Sequence, residues 1–298
     1  MGVCGPRRLS ECDRTPCVAV VRLTEFTDPG CPWAWSAEPF RRRLQWTYGD
    51  AIAWQRRMVV LADSAAEYED KGFEPQFLSK AFTDISRDHG MPIDTSLRER
   101  LSATAPACRA VVAARLHAPA AEAPLLRALR VRHFAGEALE DESTRAGAAV
   151  DVGLDPAELE AWMARADTER TLDDDRAAAR DPTAAALAQN HKLAPAGDGR
   201  RYTCPSYEIV RVSDGMQIDV PGFQPYPSYE VALANLAPGA PLREPPESVL
   251  ELLEWAGEPL ATREVAVVCD IAHDEARERL GRVAREHHLG FDGLWSPA

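Results

Sequence analysis

A strand-forming run, residues 18–27, ends in Asp28-Pro29-Gly30 and passes at Cys31-Pro32-Trp33-Ala34-Trp35 into a run with helical spacing, 32–48. A second short run, 51–61, again reads as strand, with Ile52, Trp54, Met58 and Val60 on one face by alternation. Strand, helix and strand this close together leave essentially one arrangement, two parallel neighbours joined by a right-handed crossover. The helix has Trp35, Phe40, Leu44 and Trp46 as its apolar residues and Arg41, Arg42 and Arg43 on its outer side, and Gly49 stops it.

The junction carries chemistry as well as topology. Cys31 is placed where the free N–H groups and positive dipole end of the helix converge. Pro32 fits the first helical position, where its missing N–H is no loss. A thiol so placed ionises more easily than a free one. Cys31 is therefore either an activated nucleophile or a plain helix cap.

From 63 to 199 the strand signal gives way to Ala, Leu and charged residues at helical spacing. Helices are expected over 65–82, 94–103, 106–118, 122–136, 142–152, 155–166 and 181–192, with Asp155 and Pro156 marking one start. Strand character returns at 202–212. Asp214-Gly215 then turns the chain into 216–220, and Pro221-Gly222-Phe223-Gln224-Pro225 leads to a helix over 228–236. A Pro-rich linker, 238–246, precedes three expected helices, 247–256, one from Thr262 with Glu264, and 273–288, with a short strand at Leu294-Trp295.

The strand, Cys31-Pro32-Trp33-Ala34 and helix resemble the active site of DsbA-like thioredoxin-fold proteins, which carry Cys-Pro-x-Cys there. Ala34 replaces the second cysteine. The site is thereby similar to single-residue relatives such as class kappa glutathione transferases and hydroxychromene-carboxylate isomerases. The later Cys204-Pro205 strand, hairpin and Gly222-Phe223-Gln224-Pro225 run resemble the second half of the same fold, with Pro205 as its cis-proline.

The resemblance implies an α/β thioredoxin-like fold made of 18–62 and 200–240, with a large helical insertion at 63–199. A small helical, winged-helix-like module at 245–298 completes the chain. It implies Cys31 as nucleophile and a substrate groove formed by Pro32, Trp33, Trp35, Cys204 and Pro205. It also implies a thiol-dependent oxidoreductase or thiol transferase acting on a small-molecule or thiol substrate. No bound cofactor or metal is implied; a low-molecular-weight thiol such as glutathione would serve as cosubstrate. Cys204 faces Cys31 in this scheme, as a second thiol, as half of a two-sulfur metal site, or as a small buried residue. Two other readings stay open: a non-catalytic ligand- or protein-binding module, and a ligand-sensing regulator working through the C-terminal module.

Other features narrow the field. A net charge of −13 disfavours general nucleic-acid or anionic-membrane binding. Residues 245–298 hold 11 acids against 5 arginines, so a DNA-binding role for the winged-helix-like module is not expected. No apolar run is long enough to span a membrane, and 1–17 lacks the apolar core of a signal peptide. A cytoplasmic protein is expected, with a homodimer a possible state and a flexible tail at 1–17. The seven cysteines are irregularly spaced and imply no disulfide framework; Cys4, Cys12 and Cys17 are an incidental scatter or a small metal clip. Asp28 and Glu38 are candidate proton acceptors or plain surface acids. Cys108 reads as core, and His287 and His288 as a solvated helix end.

Overall fold

The structure is a computed structural model that describes residues 19–298. The expected tail at 1–17, with Cys4, Cys12 and Cys17, lies outside the described residues. Strand β1 (Val21–Thr27) leads into helices α1 (Pro32–Ser36) and α2 (Glu38–Tyr48), and the chain returns as β2 (Ile52–Met58). β1 and β2 run parallel, pairing Val21 with Ile52 and Thr27 with Met58. The expected continuous helix is broken at Ala37, because Pro39 has no N–H to give the Trp35 carbonyl.

The insertion holds α3 (Ala65–Asp70), α4 (Pro75–His89), α5 (Ala105–His117), α6 (Glu122–Phe134), α7 (Glu142–Asp151), α8 (Pro156–Met163), α9 (Ala166–Ala179) and α10 (Ala184–Leu187). Its core interdigitates alanines with larger aliphatic residues, among them Ala107, Val111, Leu125, Leu129, Ala148, Leu159 and Leu172, with Met58 of β2 in the same cluster. Four expectations need correction. Residues 65–82 are two helices, split around Gly72. Residues 94–103 form no helix. Their backbone N–H groups find non-helical partners, Asp94 N–H on the Phe134 carbonyl, Ser96 N–H on the Asp94 carboxylate and Ala103 N–H on Glu140. Helix α9 was not expected, because its buried stripe is Thr168, Leu172, Asp175 and Ala179 and so carries no apolar periodicity. Asp175 is instead satisfied by Arg57, Arg115 and the Met58 N–H. Finally, 181–192 yields only the four-residue α10.

A short hairpin, β3 (Leu193–Ala196) and β4 (Gly199–Tyr202), ends the insertion, so strand begins before the 202 expected from sequence. β5 (Ser206–Arg211) and β6 (Gln217–Val220) then complete the central sheet in the order β2-β1-β5-β6, β5 antiparallel to both neighbours. Helix α11 (Tyr226–Leu236) packs Tyr229, Leu233 and Leu236 with Leu44 and Tyr48 of α2 on the Val21, Leu23 and Ile209 face.

The C-terminal module is α12 (Val249–Ala256), β7 (Leu260–Ala261), α13 (Thr262–Val268), α14 (His273–Leu280), β8 (Ala284–Leu289) and β9 (Asp292–Pro297), its sheet ordered β7-β9-β8. The expected helix 273–288 stops at Leu280. Residues 284–289 are strand, and His287 and His288 are exposed strand residues rather than a helix end. The i,i+4 pair of Glu278 and Arg282 carries helical spacing just past α14, but residues 284–289 pair with β9 as strand.

The module is not a loose appendage. It packs α13 on α2, and Arg41 and Arg42, expected on the outside, are both buried, Arg41 against Glu38 of its own helix. Arg42 pairs with Glu258 and Glu264 of the module, and Trp46 of α2 sits in the module's own core. At the other end the tip of the β8–β9 hairpin presses on residues 91–95. Gly290 has φ +60° there, and a Cβ on it would stand 2.1 Å from the Ile93 carbonyl oxygen. Only glycine fits both the conformation and the approach. Among the described residues, no helix is long and apolar enough to cross a membrane.

Candidate functional site

The site grows out of the end of β1. Asp28 closes its own turn by accepting from Gly30 N–H at 2.7 Å. That turn delivers Cys31 in an extended conformation (φ −82°, ψ 115°) to the N-cap of α1, where its carbonyl accepts from Trp35 N–H at 3.0 Å. The side chain is 5% exposed. Across from it, the Cys204–Pro205 peptide is cis and turns the chain from β4 into β5. The Cys31 thiol donates to the Cys204 carbonyl at 3.3 Å. Cys31, Cys108, Cys204 and Cys269 are free thiols.

The two facing sulfurs are electrostatically different. The Cys204 thiol within hydrogen-bond reach lowers the pKa of Cys31, aided by the N–H groups of Ala34 and Trp33 and opposed by burial and by Asp28. Burial pushes Cys204 well above the ordinary thiol range, and Cys31 adds to that shift. Cys31 is thus the sulfur favoured as thiolate, and Cys204 is the one held as thiol.

The acids near Cys31 have separate parts. Asp28 is fully buried, and burial raises its pKa although Gly30 and Leu61 N–H, the Thr104 hydroxyl and the Cys108 thiol all donate to it. It ties together the β1–α1 turn, the segment after β2 and the start of α5. Cys108 is core, as expected, and spends its thiol on Asp28 at 3.4 Å. Glu38 is neither a surface acid nor a group facing Cys31. Burial would raise its pKa, but Arg41, Arg130 and Arg127 hold it well below the usual carboxylate range. It is a structural counter-ion.

Cys31 and Cys204 lie at the floor of a cavity of about 620 Å³. Pro32 and Trp33 line it; Trp33 is 41% exposed at the mouth, edge-on to His89 with Phe223 beside it. Two residues expected in the groove are elsewhere. Trp35 is wholly buried, stacked on Phe134, beneath the Arg127 guanidinium, with its indole N–H on the Pro92 carbonyl at 2.9 Å. At helical spacing it turns away from Trp33 and into the layer between α1 and α4. Pro205 is buried behind Cys204 and does not reach the cavity.

The rest of the wall was not expected from sequence. It comes from Tyr68, Phe73, Phe77, Phe82, Ile85 and His89 on and around α3 and α4, and from Arg98 and Arg201. The available signal was the aromatic density of 68–82, with Phe77 left 56% exposed. Burial raises the Tyr68 pKa, with Asp28 and Cys31 adding to it, so its hydroxyl remains protonated beside the sulfurs.

Residues 22–184 match the family model described as DSBA-like thioredoxin domain. The chain is 26% identical over 280 residues to the ClpXP adapter protein SpxH of Halalkalibacterium halodurans, covering 90% of this chain and 84% of that one. Among solved structures it is similar to the cytosolic disulfide reductase DsbM of Pseudomonas aeruginosa, with a TM-score of 0.51 and 17% identity over 72% of this chain and all of that one. It is also similar to a Nitrosomonas europaea protein described as a protein disulfide isomerase, with a TM-score of 0.54 and 16% identity over 72% of this chain and 95% of that one. At such identities the structural likeness speaks for the fold alone.

Proposed function

We propose a function from one plain premise: the chain belongs to the DSBA-like thioredoxin family. In this member Cys31 acts alone as the nucleophile of thiol–disulfide exchange or thiol transfer on a small substrate. The observation that supports this most is the pair of sulfurs at the cavity floor, one favoured as thiolate and the other held as thiol. Ionised Cys31 attacks one sulfur of a disulfide R–S–S–R′. The S–S bond breaks, R′S⁻ leaves, and a Cys31–S–S–R mixed disulfide remains. A low-molecular-weight thiol, as thiolate, then attacks the R sulfur, and Cys31 is released as thiolate. The Cys204 thiol and the N–H groups of Ala34 and Trp33 stabilise the charge each time it returns to Cys31. Burial keeps Cys204 protonated, which makes it a poor attacking group and favours the external thiol for the second step.

The test is mass spectrometry of the intact protein after incubation with glutathione disulfide at neutral pH. One glutathionyl adduct on Cys31 is expected, removed by added thiol and absent from Cys31→Ser. No adduct, or an equal adduct on Cys31→Ser, defeats the catalytic reading.

One observation favours a second reading. The likeness to the ClpXP adapter covers 90% of this chain, and so takes in the C-terminal module as well as the thioredoxin domain. On that reading the cavity mouth, with Trp33 and Phe77 exposed, docks a client protein for degradation and Cys31 is dispensable. Client degradation by ClpXP that persists with Cys31→Ser would favour the adapter; dependence on Cys31 would favour thiol chemistry.

A further inference from the structure

The cavity over Cys31 is largely apolar, with Lys71, Asp84, Asp88, Arg98, Arg100 and Arg201 as the charged residues in its wall; Asp94 acts on Arg98 only from beyond ion-pair distance. Arg98 is half-buried in the irregular segment after α4. One terminal nitrogen donates to the His133 carbonyl at 2.7 Å, and its Cζ stands 5.2 Å over the Phe82 ring. Its Nε is buried with no hydrogen-bond partner among the described residues. No carboxylate among the described residues lies within ion-pair distance of it, whereas Arg100, two residues on, is paired with both Glu140 and Asp141. Glu and Asp outnumber Lys and Arg in this chain by 47 to 34, so an unpaired arginine in a cavity wall is not explained by a shortage of acids.

A guanidinium does not lose its charge, and a half-buried donor without a partner is costly. Its planar fork matches a carboxylate. The neighbouring ring does not compete: burial depresses the pKa of His133 to about 3, so it stays neutral.

We infer that the cavity takes a small amphipathic carboxylate, its apolar body against Phe77, Phe82 and Ile85 and its carboxylate on Arg98. The size agrees, since about 620 Å³ falls within the range of small-molecule sites. This rests on the proposed function only for the sulfur: a substrate of Cys31 would carry its thiol or disulfide on an aromatic or aliphatic carboxylate. Arg201 also lines the cavity, but it belongs to the sulfur end, where its charge opposes the rise of the Cys204 pKa.

Calorimetry with the full chain tests this, using a sulfur-free probe, 4-phenylbutyrate, against its neutral amide and against phenylbutyl phosphate. The carboxylate is expected to bind roughly tenfold more tightly than the amide, as a charge-assisted hydrogen bond to a partly buried cation implies. Arg98→Gln should erase that preference, Arg98→Lys should keep part of it, and Arg201→Gln and Cys31→Ser should leave it in place. The thermal midpoints of the variants establish that they fold. Equal affinity for acid and amide overturns the inference. So does a preference that survives Arg98→Gln, binding of the phosphate but not the carboxylate, or displacement only by a cysteine peptide. Because the probe has no sulfur, an acid preference without disulfide exchange would fail the proposed function and leave this inference standing.

Discussion

Glu264→Ala is the most direct probe of how the C-terminal module is held to the thioredoxin domain. Glu264 is fully buried on α13. Its carboxylate accepts from Arg127 at 2.6 Å, from Arg42 Nε at 3.5 Å and from Ala261 N–H at 2.8 Å. Arg127 and Arg42 are themselves buried and belong to the domain. Truncation to alanine leaves Arg127 with Glu38 as its remaining carboxylate at 3.7 Å, and Glu38 already serves Arg41 and Arg130. Removing one member of a buried ion pair costs about 3–5 kcal/mol. Losing the backbone acceptor at the start of α13 adds roughly 1 kcal/mol. A loss of about 4–6 kcal/mol is a large part of the 5–15 kcal/mol typical of a folded domain. Urea unfolding should show it as a lower midpoint with an unchanged slope. Glu254→Ala, an exposed position on α12, should stay within about 0.5 kcal/mol of the parent. The double variant Glu264→Leu with Arg127→Met should recover much of the loss, since apolar residues remove the stranded charge. A loss under about 1 kcal/mol, or a double variant no better than the single one, would refute the view that buried charge pairs clamp the module.

Three further outcomes follow from the site and its surroundings. Alkylation of Cys31 should show a thiolate profile below that of a free thiol; Cys204→Ala should move it to higher pH and Asp28→Asn to lower pH, and shifts of opposite sign would contradict the assignment of charges. His133 is held near pKa 3 against about 6.5 when unfolded. The unfolded chain therefore binds the extra proton between those values, and stability falls as pH drops through that window. His133→Gln should flatten the acid limb of a stability–pH curve, and an unchanged limb would show that another group carries it. Arg277, Arg279 and Arg282 of the module are paired with Asp292 and Glu286, Glu275 and Glu278. Duplex DNA should accordingly show no mobility shift at physiological salt, and a shift abolished by Arg282→Glu would overturn that expectation.

The sequence by itself determined the frame of the site. The alternation of 51–61, the Gly30-Cys31-Pro32 junction and the Asp214-Gly215 turn are local signals, and each acts through the backbone of a few neighbouring residues. They placed β1, β2, the start of α1 and the β5–β6 hairpin, and through the resemblance they placed Cys204-Pro205 opposite Cys31. Only the tertiary structure decided which neighbours of Cys31 face the cavity. Trp33 and Trp35 are equally aromatic two positions apart, and the layer of Phe134 and Pro92 brought from α6 and the 91–95 segment claims Trp35. Arg42 looks solvent-facing on α2 until a module more than 200 residues later supplies Glu258 and Glu264. Helix α9 was invisible because its buried face carries Asp175, whose partners Arg57 and Arg115 are remote in sequence. Arg98 could not be singled out among the arginines, because having no carboxylate partner is a fact about three-dimensional neighbours. Buried charge breaks the link between apolar spacing and burial, and it can be located only when the partners that neutralise it are in place.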